Sequence, residues 1–473
     1  MAAILMPSRR LTVLRLTILA SLAALALGIG AGLLAVAATG SGEGQVASAA
    51  TAGGATPPAS AKAVANDWPQ WRGPNRDAYS QEKGLLKVWP AGGPPLLWKA
   101  EGLGQGFSSV AVTGGRFYTM GKREDNKCYV LCFDLATQKR LWATKIGDGE
   151  GDGPRCTPTV VGNLPDRQAG RVYALGEMSD LAALDAATGR ILWQKNLRKD
   201  YNGRMQGDYR YSESPLIDGD KLIITPGATN DPMMIALNRE TGEIIWRVAM
   251  PDFGPFGGEG AGYSSCVISE AGGVRQYVQL TGRGLVGVRA SDGRFLWGYG
   301  RIANSHTSIP TPIVRGDYVF AVNGYGAGTC LVKLKLRDDD TEAFDAQEVY
   351  FLANNISENL CGGAVVVGDY AYHGANHYSG VPMCIELLTG KVMWKADKQP
   401  GGGEAGVIYA DGNLIFRSAN GMVALVAADP KAYRLISTFT SEAKEGHSHP
   451  SLADGKLYLR SHNILCCYDL KQH

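Results

Sequence analysis

The sequence predicts an all-β fold, an eight-bladed β-propeller of four-stranded antiparallel blades whose ring is closed by an N-terminal strand. Three observations predict it: a hairpin repeated eight times, an aromatic residue recurring behind it, and a last repeat that ends before its own aromatic.

The hairpin copies are Ser108–Met120, Thr157–Leu175, Ser214–Thr225, Ser264–Leu280, Thr311–Val322, Gly363–Gly374, Gly406–Ser418 and His449–Ser461. Each runs an apolar couplet into a Gly-containing turn and out along a second apolar strand. A period of about 50 residues marks a radial repeat rather than a single-core enzyme. Behind the hairpin comes small-x-Asp-x-x-Thr-Gly-x-x-x-Trp, clearest from Ala183 to Trp193 and from Ala236 to Trp246, with Asn238 in the Asp place. Weaker copies end at Trp142, Trp297 and Trp394, and Gln138 replaces the Gly before Trp142. The Asp or Asn side chain caps the turn and Gly supplies a positive φ. The Trp then falls on an outer strand, where its ring wedges against the neighbouring unit.

Trp142, Trp193, Trp246 and Trp297 follow one another at 51, 53 and 51 residues, and the same frame reaches Tyr350 and Phe439 on either side of Trp394. The eighth aromatic is Trp98, ahead of the first hairpin. Closing the ring with the strand around Trp98 completes the blade begun near the C-terminus and leaves no long exposed edge. An open solenoid requires capping repeats, not a split one.

Four segments follow: residues 1–38 as a signal anchor or signal peptide, 39–66 as a flexible Gly/Ala/Ser/Pro linker, 67–95 as a lead-in packing on the propeller, and 96–473 as the propeller. Arg9, Arg10 and Arg15 precede Leu16–Ala38, 23 residues without a charge. As a helix this stretch reaches about 34 Å, enough for a hydrocarbon core, and the bases keep its start cytoplasmic. The expected location is the periplasmic side of the inner membrane, with cleavage and a soluble product as the alternative. Lys and Arg number 47 against 45 Asp and Glu; without the segment through Asn66 the balance is 43 to 44. No basic stripe appears, which argues against nucleic acid. A monomer is expected.

The repeat resembles the Trp-docking motif of the pyrroloquinoline-quinone (PQQ)-like β-propellers, from about Trp98 to the end of the chain. Asp67-Trp68-Pro69-Gln70-Trp71-Arg72-Gly73-Pro74-Asn75-Arg76-Asp77 resembles the opening motif of a bacterial branch. The resemblance implies the fold and is nearly silent on activity. The family includes quinoprotein alcohol dehydrogenases and a non-enzymatic lipoprotein subunit of the outer-membrane β-barrel assembly machinery. The lipid anchor implied for the latter needs a Cys near the N-terminus, and none precedes Cys128.

Of the nine cysteines, Cys132, Cys384 and Cys467 occupy the slot of Ala183, Ala236 and Gly287, where Cys serves as a small buried side chain. The resemblance raises a vicinal disulfide at Cys466-Cys467, but neighbouring side chains on a regular strand point to opposite faces.

In a propeller the loops leading into each inner strand gather at one mouth of the central channel. In this frame they are Gly151–Cys156, Asp208–Ser212, Phe256–Tyr263, Asn304–Ile309, Asn354–Cys361, Gly401–Glu404 and Glu445–His449. They bring Arg155, Tyr211, Glu213, Glu259, His306, Glu358, Asn359, Glu404, His447 and His449 to one face as candidate ligand or partner residues. His447 and His449, like His373 and His377, lack third and fourth metal ligands assignable by spacing, so no metal is expected. Asp338-Asp339-Asp340 lacks the Gly and Glu of a calcium loop and reads as a solvated hairpin tip. No catalytic residue is assigned and no cofactor is expected.

The sequence therefore points to an exported, membrane-tethered protein-binding or scaffold module of the cell envelope, docking a protein or peptide. The alternatives are a small quinoprotein oxidoreductase using PQQ with calcium, for which Glu213, Asn359 and Glu404 have the right residue types, and a glycan-binding module. The glycan reading is disfavoured if Trp68–Trp71 packs under a blade.

Overall fold

The computed structural model describes residues 66–162, 170–339 and 342–472. The stretches 1–38 and 39–65 lie outside them; among the described residues no helix is long and apolar enough to cross a membrane.

The chain forms eight antiparallel sheets. The first blade comprises Ala111–Thr113, Arg116–Lys122, Lys127–Asp134 and Arg140–Asp148, and the next six repeat this succession from inner to outer strand. The eighth holds Ser451–Ala453, Lys456–Ser461 and Ile464–Asp469, and its outer strand is Leu96–Glu101. Trp98 pairs with Cys467 there, so the ring closes through Trp98 as the repeat frame requires.

Five of the docking aromatics, Trp142, Trp193, Trp246, Tyr350 and Trp394, sit against the turn of the next blade. The Trp193 indole donates to the Arg239 carbonyl at 2.8 Å, and a Cβ added to Gly242 would lie 2.8 Å from its ring. The arrangement recurs for Trp142 on Ala186 and Gly189, Trp246 on Ala290 and Gly293, and Tyr350 on Leu387 and Gly390. Gly in the Thr-Gly turn therefore serves twice: its φ is positive, and its missing side chain admits the neighbour's ring. Trp394 donates to the Asp429 carbonyl, and Phe439 lies against Gly93 from the other end of the chain. Trp297 departs from the pattern. The turn it would meet, around Asp338 and Asp339, has no Gly, and its indole donates instead to Gln276 of its own blade at 2.6 Å.

Opposite each Trp across the ladder lies the small-residue slot: Cys132 faces Trp142, Ala183 Trp193, Ala236 Trp246, Gly287 Trp297, Cys384 Trp394 and Cys467 Trp98. The nine cysteines are free thiols, Cys466 and Cys467 included.

The lead-in segment is built into the axis. Trp68 bridges Val112 of the first blade, and the Val160 amide donates to Pro69. Arg76 donates to the Ser214 and Pro215 carbonyls, the Trp71 indole to Thr311, and Arg72 to the Ala364 carbonyl. Tyr79–Ser80 adds a parallel strand to the inner edge of the seventh blade, and the Asp454 amide of the eighth donates to Asn66. A segment that touches the inner strands of seven blades, or the residues leading into them, can lie only where those strands converge.

Replacing Trp193 with Ala removes a buried wedge and its hydrogen bond, and is expected to destabilise the ring by about 3–5 kcal/mol. A melting temperature unchanged by the substitution would show that the ring does not hold neighbouring blades together.

Candidate functional site

The residues leading into the eight inner strands meet around a cavity of about 330 Å³ at one mouth of the channel. All eight blades contribute, with Phe107, Arg155, Tyr209, Tyr263, Ile309, Cys361, Glu404 and His447. Tyr325 and Tyr378 enter from the hairpins between the second and third strands of the fifth and sixth blades, and Trp71 of the axial segment forms the floor. The Trp71 indole N–H is held by Thr311 Oγ1 at 2.9 Å, and its ring meets His449 edge-on at 5.3 Å.

Aromatic rings form a collar around this well. Tyr209 touches Tyr263 and His306, His306 touches Tyr325, and His377 lies between Tyr325 and Tyr378, with centroids 4.3–6.4 Å apart. The Arg155 guanidinium stands 5.4 Å from the Phe107 ring centre and 5.8 Å from that of Tyr209, within cation–π range. Buried arginines fix the loops. Arg417 donates to the carbonyls of Ser448, Ala443 and Glu445, which holds the loop of His447; Arg460 donates to those of Ser108 and Gly104, on either side of Phe107. Asn304 accepts from the amides of His306 and Thr307 and so sets the His306 loop.

The ten residues that the sequence points to separate into four groups. Arg155, Glu404 and His447 line the well, and His306 joins the collar. Tyr211, Glu213, Asn359 and Glu358 turn inward instead. Tyr211 donates to the Pro226 carbonyl, and Glu213 accepts from the Thr225 amide and from Gln279. Asn359 bonds the backbone of Gly374 and Gly363, and Glu358 accepts from the Gly326 amide. Glu259 is tied to Arg283. His449 is buried beneath the well. Residue types in the loops are legible in the sequence, but alternation along an irregular loop is not, so the sequence points to Tyr211 where Tyr209 faces the cavity. Tyr325 and Tyr378 lie in hairpins outside the loop set, beyond the reach of that argument.

A quinone with calcium requires six to eight oxygen ligands around the metal. Of Glu213, Asn359 and Glu404, only Glu404 lines the well, and the other two spend their oxygens on the scaffold. The residues that would hold calcium beside a quinone are therefore not assembled at the well.

Glu404 has other company. The donor atoms of Cys361, Glu404 and His447 all lie within 4.8 Å of one another, with His447 Nδ1 3.9 Å from a Glu404 oxygen. Burial pushes the Cys361 thiol up to about 12. Below them a cavity of about 20 Å³ is also lined by His449. Burial, and then the Arg72 guanidinium, hold His449 down at about 3, so it is neutral. Its Nδ1 lies 3.1 Å from the Pro450 carbonyl. The Gly362 backbone adds a weak pull toward the protonated form, but Nε2 forms no hydrogen bond of acceptable geometry.

Glu213 gives the fold a pH signature. Burial raises its folded-state pKa to about 8, so between the ordinary carboxylate range and about pH 8 the folded chain keeps a proton that the unfolded chain has lost. Stability therefore falls as pH rises through this window. Glu213→Gln should flatten the decline in melting temperature between pH 5 and 8; an unchanged pH slope would contradict it.

In sequence the chain is 32% identical over 114 residues to the outer membrane protein assembly factor BamB of Xanthomonas campestris pv. campestris, covering 24% of this chain and 26% of that protein. It is 38% identical over 146 residues to a quinoprotein ethanol dehydrogenase of Pseudomonas putida, covering 28% and 22%. The chain thus spans about a quarter of these relatives' own length. In structure it superposes on BamB from Moraxella catarrhalis with a TM-score of 0.54 at 13% identity, over 80% of this chain and 99% of that one, a likeness of fold. Residues 126–396, more than half of the sequence, match the family model described as "Outer membrane protein assembly factor BamB", and the chain belongs to that family of PQQ-like propellers.

Proposed function

We propose that this chain is an exported protein-binding module of the cell envelope, tethered through Leu16–Ala38, that captures a protein or peptide partner at the channel mouth. The observation that carries the reading is the exposed aromatic collar around a well with a charged rim. Tyr378 is 64% exposed and Tyr209 41%, the Tyr209 carbonyl accepting a hydrogen bond from Arg155. Tyr, Trp and Arg are the residues that dominate binding energy at protein interfaces. A rigid ring presenting them pays little to order them on association. The BamB relatives, which their names describe as assembly factors, support a scaffold role. The glycan alternative loses ground because Trp68 is packed under the first blade, leaving only Trp71 of that pair facing the well.

The test is photo-crosslinking capture from envelope membranes, with Arg155, Tyr209 and Tyr325 replaced together by Ala. The wild type should enrich a defined partner, and the triple variant, with its melting temperature retained, should lose it. Equal capture by both would refute the mouth as the binding site. Alcohol-dependent dye reduction in the presence of PQQ and calcium would favour the quinoprotein reading instead.

A further inference from the structure

We propose that Cys361, Glu404 and His447 form a binding site for a divalent transition metal of the zinc class. The three residues come from the loops that lead into the sixth, seventh and eighth blades, and their donor atoms lie within 4.8 Å of one another. The inference stands on this triad and is independent of the partner reading.

The donor set selects the metal. Thiolate and imidazole favour borderline-soft ions over calcium or magnesium, which take oxygen. In a tetrahedral site with bonds of about 2.0–2.3 Å, neighbouring donors stand roughly 3.3–3.8 Å apart. The 3.9 Å between His447 Nδ1 and the Glu404 oxygen is already near that edge. Small rotations of the three side chains would bring in the sulfur. Cys361 binds as the thiolate, its proton passing to solvent.

A second observation points the same way. His449 is 6% exposed and lines the small cavity shared by Cys361, Glu404 and His447. Its Nδ1 faces the Pro450 carbonyl at 3.1 Å, while Nε2, with the Gly362 backbone nearby, forms no hydrogen bond of acceptable geometry. A histidine that engages a backbone carbonyl through one nitrogen and makes no well-formed bond through the other has the arrangement metal-binding histidines adopt. His449 Nε2 falls outside the 4.8 Å set, so the three residues are the primary ligands and the fourth position faces either His449 or the well. Arg417 fixes the backbone on both sides of His447, so this ligand is presented rather than recruited.

The probe is cobalt(II) added to the untagged full-length chain. One ion per chain should bind with tetrahedral d–d bands and a near-ultraviolet sulfur-to-cobalt band, and zinc should displace it. Cys361→Ser should abolish the sulfur band. The other eight cysteines are buried, so none should replace it. Glu404→Gln and His447→Ala should each weaken binding by about 100-fold or more, beyond what loss of an outer partner costs. Glu445→Gln, a neighbour paired with His462, should leave affinity unchanged. His449→Ala reports whether the fourth ligand is internal: a changed d–d spectrum assigns it to His449, an unchanged one to a donor from the well. Absence of a sulfur band at millimolar cobalt, or its persistence in Cys361→Ser, would overturn the site. Because folding and partner capture are measured separately, failure here leaves the binding-module reading intact.

Discussion

The structure depends on one contact repeated around a circle, an aromatic ring of one blade lying on a glycine turn of the next. A blade alone exposes two flat faces and cannot bury either. Stacking against neighbours supplies both, but only if each junction sets nearly the same angle. A Trp held by its indole N–H to a carbonyl three residues before the glycine fixes distance and rotation together. The small residue across the ladder is part of the same device, because it leaves room for the ring above it. Beyond Trp297, where the partner turn lacks glycine, the indole turns back to Gln276 and the blades still pack through their aliphatic faces. Beyond Trp394, by contrast, a turn equally without glycine still accepts the indole at the Asp429 carbonyl.

Closure creates a second problem, which the lead-in segment solves. Eight inner strands converge with their free hydrogen-bonding edges facing the axis. The segment from Trp68 to Ser80 supplies partners to several of them and contributes buried guanidinium groups that donate to backbone carbonyls. Among the described residues no carboxylate lies within salt-bridge distance of Arg72 or Arg76; burial lowers each to about 10, against a weaker opposing pull from Asp77 and Glu213, so both stay charged at neutral pH. They act as multivalent donors for carbonyls that strand geometry leaves unpaired. The same segment turns an open channel into a well with a floor, and so makes a site out of a pore.

The chemistry of the well follows from this construction. Its walls are loops, free to differ, on a frame that is not. Aromatic rings dominate the collar, and the ionisable groups divide by depth. Arg155, Glu404 and His447 reach the cavity, whereas Glu213 and His449 are neutralised by burial and serve the scaffold or the chamber beneath. Inward-facing carboxyls near the axis are therefore a poor guide to function in this ring.

The sequence by itself determined the propeller, the number of blades, the closing strand and the period of the outer-strand aromatics, though not that Trp297 turns back on its own blade. Each of these is a local rule, a period or a turn motif, written again in every repeat. It also placed the candidate loops at one mouth. Tertiary structure alone decided which loop residues face the cavity, because side-chain direction along an irregular loop follows no period: Tyr209 rather than Tyr211, Glu404 rather than Glu213. It alone made the floor, since nothing in the order Trp68 to Trp71 says that the axis of a ring will receive them. It alone brought Cys361, Glu404 and His447 together. They are separated by more than 40 residues at each step, and only the closing of the circle converts that separation into contact.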